Sequence, residues 1–193
     1  MVVRGMPGEH SVTERGLDEI AAYERTRRDT PVTAAMRSLG KSKYFASVYR
    51  RVGPTFDPWL MRVTHGRAIS RIYGMPALIL DTVGARSGLP RSSALLYLRD
   101  SDAFAVVGTN FGQLHHPAWT GNLLARPEAE VEVGAVRLPV RAELADQEAW
   151  DRLWPKFCAI YPGYADYLER CGDRTPRLFL LHPVEEDPVD GRH

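Results

Sequence analysis

The chain has 193 residues, 44% hydrophobic and 25% charged, with 25 Lys/Arg against 24 Asp/Glu. That balance suits one globular domain with an additional arm and excludes bulk disorder, collagen-like repeats and low-complexity classes. Cys158 and Cys171 are the only cysteines, too few for a disulfide framework and without C-x-x-C or zinc-ligand spacing. The first residues lack the apolar segment of a secretory signal, and no apolar run approaches the ~20 residues of a membrane span. The expectation is a soluble, cytoplasmic protein.

Residues 1–12 read as a disordered tail. Thr13 to Asp29 reads as a polar helix with Thr13 as its N-cap. Thr33 to Val52 reads as a basic amphipathic helix, with Phe45, Val48, Tyr49 and Val52 on one face. Asp57 to His65 reads as a short helix opened by Asp57-Pro58 and ended by Gly66. Charge is uneven: residues 1–76 carry 13 Lys/Arg against 7 Asp/Glu, and residues 77–193 carry 12 against 17. Between Arg37 and Arg71, eight basic residues accompany one acid, Asp57. Such a segment can meet an anionic ligand or the surface of a membrane, or simply pair with the acidic half. No nucleic-acid recognition motif accompanies it, so nucleic acid is not an expected partner.

The style changes at Pro76. Ala77 to Val83 reads as a strand, Gly84 to Gly88 as a turn closed by Pro90, Arg91 to Arg99 as a second strand, and Ala103 to Gly108 as a third. Thr109 to His116 reads as a loop, and Pro117 to Ala125 as a helix stopped before Pro127. Glu130–Val133 and Val136–Glu143 form a hairpin across Gly134-Ala135. Asp146 caps a helix to about Ile160, which Pro155 kinks or divides. Tyr161 to Arg170 continues as a second helical piece, and Arg177 to Val184 is the last strand. Six strands without βαβ alternation argue against a doubly wound sheet. They predict a mostly β, α+β fold: a small antiparallel barrel with helices packed outside. The organisation is a tail and helical arm over 1–54, the barrel domain over 55–186 and a tail over 187–193.

No Gly-x-Ser-x-Gly elbow, His-Glu-x-x-His helix or P-loop is present. The adjacent His115-His116 has no carboxylate spaced to complete a metal site, so no metal is expected. Three stretches remain. Gly84-Ala85-Arg86-Ser87-Gly88-Leu89-Pro90-Arg91 gathers two guanidinium groups and a hydroxyl on one turn, where glycines free backbone N–H groups for an anion. Thr109-Asn110-Phe111-Gly112 leads to His116-Pro117-Ala118-Trp119, so a flexible loop opens a helix whose first N–H groups favour anions and carbonyl oxygens. Tyr161-Pro-Gly-Tyr164-Ala-Asp-Tyr167 sets three phenols at spacing three. Each also has a plain structural reading: a solvated hairpin turn, a core Trp119, an interior aromatic stripe.

Taken in this order and spacing, the three stretches resemble the deazaflavin (F420)-dependent nitroreductase family, also called F420H2-dependent quinone reductases. The resemblance covers about residues 55–184 and includes Asp57-Pro-Trp-Leu to Thr64-His-Gly-Arg67. It implies a split β-barrel that binds reduced F420, with FMN the less favoured cofactor. It places Arg86, Ser87, Gly88 and Arg91 at the phosphate. Thr109, Asn110, Phe111, Gly112, His116, Pro117, Ala118 and Trp119 would lie against the ring system, and Tyr161, Tyr164 and Tyr167 on the substrate side as catalytic residues. Tyr164, central in the row, is the first choice for the acting hydroxyl. The implied reaction is hydride transfer to a small organic acceptor: a quinone, a nitro compound or an activated alkene. Two other readings stay open, a non-catalytic F420-binding or carrier protein and the same barrel holding FMN or haem. Three positions depart from the family pattern. Ala85 replaces an Arg, Thr120 stands where a Tyr often follows the Trp, and Leu96 stands where some members present a Tyr.

Overall fold

A computed structural model describes residues 11–26 and 75–185. The expected helices over 33–52 and 57–65, the basic segment 37–71 and both extreme tails lie outside the described residues. Helix α1 spans Val12–Thr26. Its start is a reciprocal cap: the Glu14 N–H donates to Ser11 Oγ (3.1 Å) and the Ser11 N–H donates to Glu14 Oε2 (3.0 Å). Ser11, not Thr13, is therefore the cap. Thr13 is buried, and its hydroxyl donates to the Val184 carbonyl at 3.2 Å.

Six strands follow: β1 Ala77–Val83, β2 Pro90–Asp100, β3 Ala103–Gly108, β4 Glu128–Val133, β5 Val136–Leu144 and β6 Arg177–Pro183. Three helices interrupt them: α2 Ala118–Ala125, α3 Gln147–Ile160 and α4 Gly163–Arg170. Strand β4 begins two residues before the expected Glu130, because Glu128 pairs with Arg141 across the hairpin in register and through a 2.6 Å ion pair. Asp146 caps α3 as expected, its carboxylate accepting from the Ala149 N–H at 2.8 Å. Pro155 neither ends nor divides α3. Pro155 and Asp151 are both exposed, so the carbonyl that the ring leaves without a helical N–H lies on the solvent side. Among the described residues no helix is long and apolar enough to cross a membrane.

The strands close into a barrel in the order β1-β2-β3-β6-β5-β4, every neighbouring pair antiparallel. Strand β2 makes one corner, pairing with β1 through Leu96 and with β3 from Tyr97. Period-two alternation sends Leu78, Leu80, Tyr97, Phe104, Val106, Val131, Val133, Leu138, Val140, Phe179 and Leu181 into the lumen. The opposite face of β3 and β6, through Ala105, Val107 and Leu178, packs against Leu153 and Phe157 of α3 and Tyr164 and Tyr167 of α4. Strand β3 is buried on both faces, which is why its Ala-Phe-Ala-Val-Val run carries no polar alternation.

Both mouths of the barrel are covered by helices. At one, α1 inserts fully buried Ile20 into the lumen cluster, and the Tyr97 hydroxyl donates to Glu24 at 2.6 Å. At the other, α2 inserts Trp119 and Leu123, with the Trp119 ring 5.8 Å from Phe179. Strands β1, β3 and β5 all run toward the α2 mouth, so the connections β1–β2, β3–β4 and β5–β6 all emerge there. Ile20→Ala should cost about 2–4 kcal/mol, the transfer loss plus a residual cavity. Urea denaturation checks this, and an unchanged midpoint would mean that α1 does not plug the barrel.

Candidate active site

Those three connections are the three motif stretches. In the β1–β2 connection the Gly88 N–H bonds the Gly84 carbonyl at 2.8 Å and the Gly84 N–H bonds that of Leu89 at 2.9 Å, a closed turn. Arg86, Ser87 and Gly88 are exposed on it, and Arg91 is exposed just beyond it at the start of β2, in register with Thr82. Gly88 has φ +66°, and a Cβ there would meet nothing within 4 Å. Among the described residues neither Arg86 nor Arg91 is paired with a carboxylate. The turn is tied to α2 by Asn122, whose side-chain oxygen accepts from the Ala85 N–H at 2.9 Å.

In the β3–β4 connection Asn110, Phe111 and Gly112 have φ of +48°, +55° and +74°, three successive residues in the left-handed region. The Gly112 N–H bonds the Thr109 carbonyl at 3.0 Å, making one tight turn inside the expected loop. The turn sits directly on α4: a Cβ at Gly112 would come within 3.1 Å of the Tyr167 carbonyl and 3.2 Å of its Cα. Asn110 and Gly112 accept that region readily, but a left-handed Phe is unfavourable and persists only when its surroundings over-determine it. Here the restraint is Arg174. Its guanidinium donates to the carbonyls of Thr109 (2.6 Å), Gln113 (3.0 Å) and Gly108 (3.1 Å). The Asn110 amide donates to the His115 carbonyl at 2.9 Å.

Arg174 also reaches His116 Nδ1 at 3.3 Å. A guanidinium only donates, so Nδ1 accepts and the proton of the neutral ring sits on Nε2. Burial, with the charges of Arg177 and Arg174 beside it, holds the imidazole below its ordinary range. His116 and Pro117 are half-buried and Ala118 is exposed at the first turn of α2, where no side chain caps the helix. Trp119 does not join this surface; its ring lies in the barrel lumen.

In the β5–β6 connection the tyrosines do not share one helix. Tyr161 is the C-cap residue of α3, its N–H bonded to the Phe157 carbonyl at 2.9 Å, and α4 begins only at Gly163. The Tyr161 ring folds back over Gly163, where a Cβ would stand 2.6 Å from ring carbon Cε1. The three rings therefore meet one another, at centroid distances of 5.4 to 6.1 Å. Tyr164 is buried, edge-on to Phe157 at 5.8 Å and near Trp154 at 6.1 Å. The hydroxyl pair is Tyr161 with Tyr167, 3.2 Å apart. Burial first, then that hydrogen bond, pushes the Tyr167 phenol far above its usual range, so it stays protonated. Phe111 packs edge-on to Tyr167 at 6.0 Å, joining this cluster to the strained turn.

The F420H(2)-dependent quinone reductase family model matches residues 56–181. The chain belongs to the F420H2-dependent quinone reductase family. An F420H(2)-dependent quinone reductase of Mycobacterium tuberculosis is 40% identical over 98 residues, 49% of this chain and 66% of that protein. The match thus spans just under two thirds of that relative's length. An F420-H2 dependent reductase of known structure aligns with TM-score 0.51 and 30% identity over 55% of this chain and 94% of its own. Another solved chain, described as a domain-swapped dimer, aligns with TM-score 0.52 and 27% identity over 67% and 99%. The fold is the split barrel of this family.

The chemistry of the α2 mouth suits an F420-type ligand on two observations. Two guanidinium groups without carboxylate partners among the described residues stand close in sequence, Arg86 on the turn and Arg91 at the start of β2, and suit a phosphate. Beside them α2 offers exposed Ala118 and, one turn on, Gly121, where a Cβ would meet nothing within 4 Å; a flat ring can approach that backbone closely. Asn122 and Arg174 complete this arrangement and were not singled out by sequence reasoning. Neither lies in a motif stretch, and their partners are 37 and 58 to 66 residues away. The charge state of His116 yields a prediction. As pH falls below about 6.5 the unfolded chain takes up a proton that the folded one resists, so stability falls on acidification. His116→Asn keeps an acceptor for Arg174 and cannot titrate. Between pH 7.5 and 5.5 the urea midpoint of the wild type should drop more than that of the variant; equal drops would rule out a His116 held neutral in the fold.

Proposed function

We propose that the protein is an F420H2-dependent oxidoreductase that passes a hydride to a small organic acceptor, with quinones favoured over nitro compounds and activated alkenes. The observation that carries the reading is the convergence of all three motif connections on one barrel mouth, cross-braced by Asn122, Arg174 and the Gly112–Tyr167 contact. When bound, the reduced deazaflavin supplies the hydride, and this chemistry is the cofactor's own. Arg86 and Arg91, with the Ser87 hydroxyl and the backbone at Gly88, would hold the phosphate. Thr109 to Gly112 and His116 to Ala118 would border the ring system, with the Nε2 proton of His116 as a donor.

Tyrosines 161 and 167 would stand at the acceptor. A quinone that gains a hydride must also gain one proton, which water supplies, and until then negative charge develops on its oxygen. A phenol that keeps its proton serves there as a hydrogen-bond donor rather than as an acid. If Tyr167 donates to Tyr161, the half-buried Tyr161 has its own proton left for the acceptor oxygen. Tyr164, buried among four aromatic rings, is better suited to support than to contact.

Arg86→Ala and Arg91→Ala should each weaken F420 binding by about 1.5–3 kcal/mol, the scale of a charge-assisted hydrogen bond. Tryptophan-fluorescence titration measures this, and wild-type affinity in both variants would reduce the turn to a turn. Tyr161→Phe should slow oxidation of F420H2 by menadione about ten-fold, near 1.4 kcal/mol, with F420 affinity almost unchanged. Tyr164→Phe should stay close to the wild-type rate. Tight F420 binding without turnover of any acceptor in the wild type would favour the carrier reading instead.

A further inference from the structure

We propose that Asn122 is the positioning residue that sets the phosphate-holding turn at a fixed height against α2. The proposal rests on the reading of Arg86 and Arg91 as phosphate ligands. Asn122 is only 6% exposed, and both ends of its amide are engaged. The oxygen accepts from the Ala85 N–H at 2.9 Å and the nitrogen donates to Thr82 Oγ1 at 3.0 Å. The Ala85 N–H can only donate, so the amide has one permitted orientation. Thr82 is itself buried at 4% exposure, on the lumen side of β1, and its hydroxyl reaches the Arg91 carbonyl at 3.5 Å.

The resulting relay runs Ala85, Asn122, Thr82, Arg91. It touches the backbone beside Arg86 and the backbone of Arg91, the two residues whose guanidinium groups would share one phosphate. Its centre stands on the helix whose first turn borders the ring system. One buried amide thereby couples the two halves of the ligand's seat. A bidentate clamp is sensitive to sub-ångström misplacement, so loosening the turn should cost phosphate affinity while the ring's own contacts persist.

The test compares F420 with the ribityl deazaflavin left when its phosphate and the tail beyond it are removed (the dephosphorylated ligand), by fluorescence titration of wild type, Asn122→Ala, Arg86→Ala and the double variant. Asn122→Ala should weaken F420 at least ten-fold and the dephosphorylated ligand less than two-fold. The double variant should bind F420 little more weakly than Arg86→Ala alone, because both act through one phosphate. Thr82→Val, which removes only the hydroxyl from the relay, should reproduce the selective loss to a smaller degree and stands in if Asn122→Ala does not fold. Equal loss of both ligands in the folded variant, or full additivity in the double, would overturn the role of Asn122 and leave the phosphate reading standing. Wild-type F420 affinity in Arg86→Ala and Arg91→Ala would remove the phosphate reading and this proposal with it.

Discussion

A six-stranded barrel has two mouths, and its lumen stays dry only if something apolar fills each. That requirement organises the whole molecule. Helix α1 meets it at one mouth with Ile20 and helix α2 at the other with Trp119 and Leu123. Because α2 must lie across the mouth to place those two side chains, its remaining face and its first turn are presented outward. They sit among the three connections that the alternating strand directions deliver to the same end. The candidate site follows from how the barrel is closed.

Much of this was legible in the chain. The lengths of β1 and β3, the turn at Gly84–Gly88, the hairpin across Gly134-Ala135 and the cap at Asp146 all follow local rules, and the structure has them. So does the burial of β3, whose unbroken apolar run has a core on each face. The errors share a cause. Thr13 and Ser11 are both competent caps, and only the long-range contact of Thr13 with Val184 decides between them. Tyr161 has helical spacing from Tyr164, yet the space opened by Gly163 lets its ring fold back across a break between two helices. Trp119 is not among the errors: its core reading is the one the structure has, although it belongs to a motif.

The site was legible as three segments and illegible as one object. What joins them is a set of buried donors and acceptors whose partners lie far away in sequence. Arg174 is the plainest case: a lone arginine between a helix and a strand carries no local signal, yet its five N–H groups account for the shape of a loop some sixty residues earlier. The left-handed run at Asn110 to Gly112 is signalled in sequence only by its asparagine and glycine, and Phe111 between them gives no sign of it. Its backbone cost is met by contacts with α4 and Arg174, so the geometry at the mouth is fixed before any ligand arrives.

Strand parity has a practical corollary at the opposite mouth. Two hairpin turns emerge there, and Gly134 of one lies beneath Tyr23 of α1, whose ring is 3.4 Å from a Cβ built on Gly134. The Ser101-Asp102 turn is exposed at both residues, and Ser101 already adopts a left-handed conformation with φ +54° that glycine or asparagine would accept readily. A tether, a dye or a fusion partner grafted at Ser101-Asp102 would hang from the end of the barrel opposite the candidate site. The protein could then be held on a surface with its α2 mouth turned toward solution.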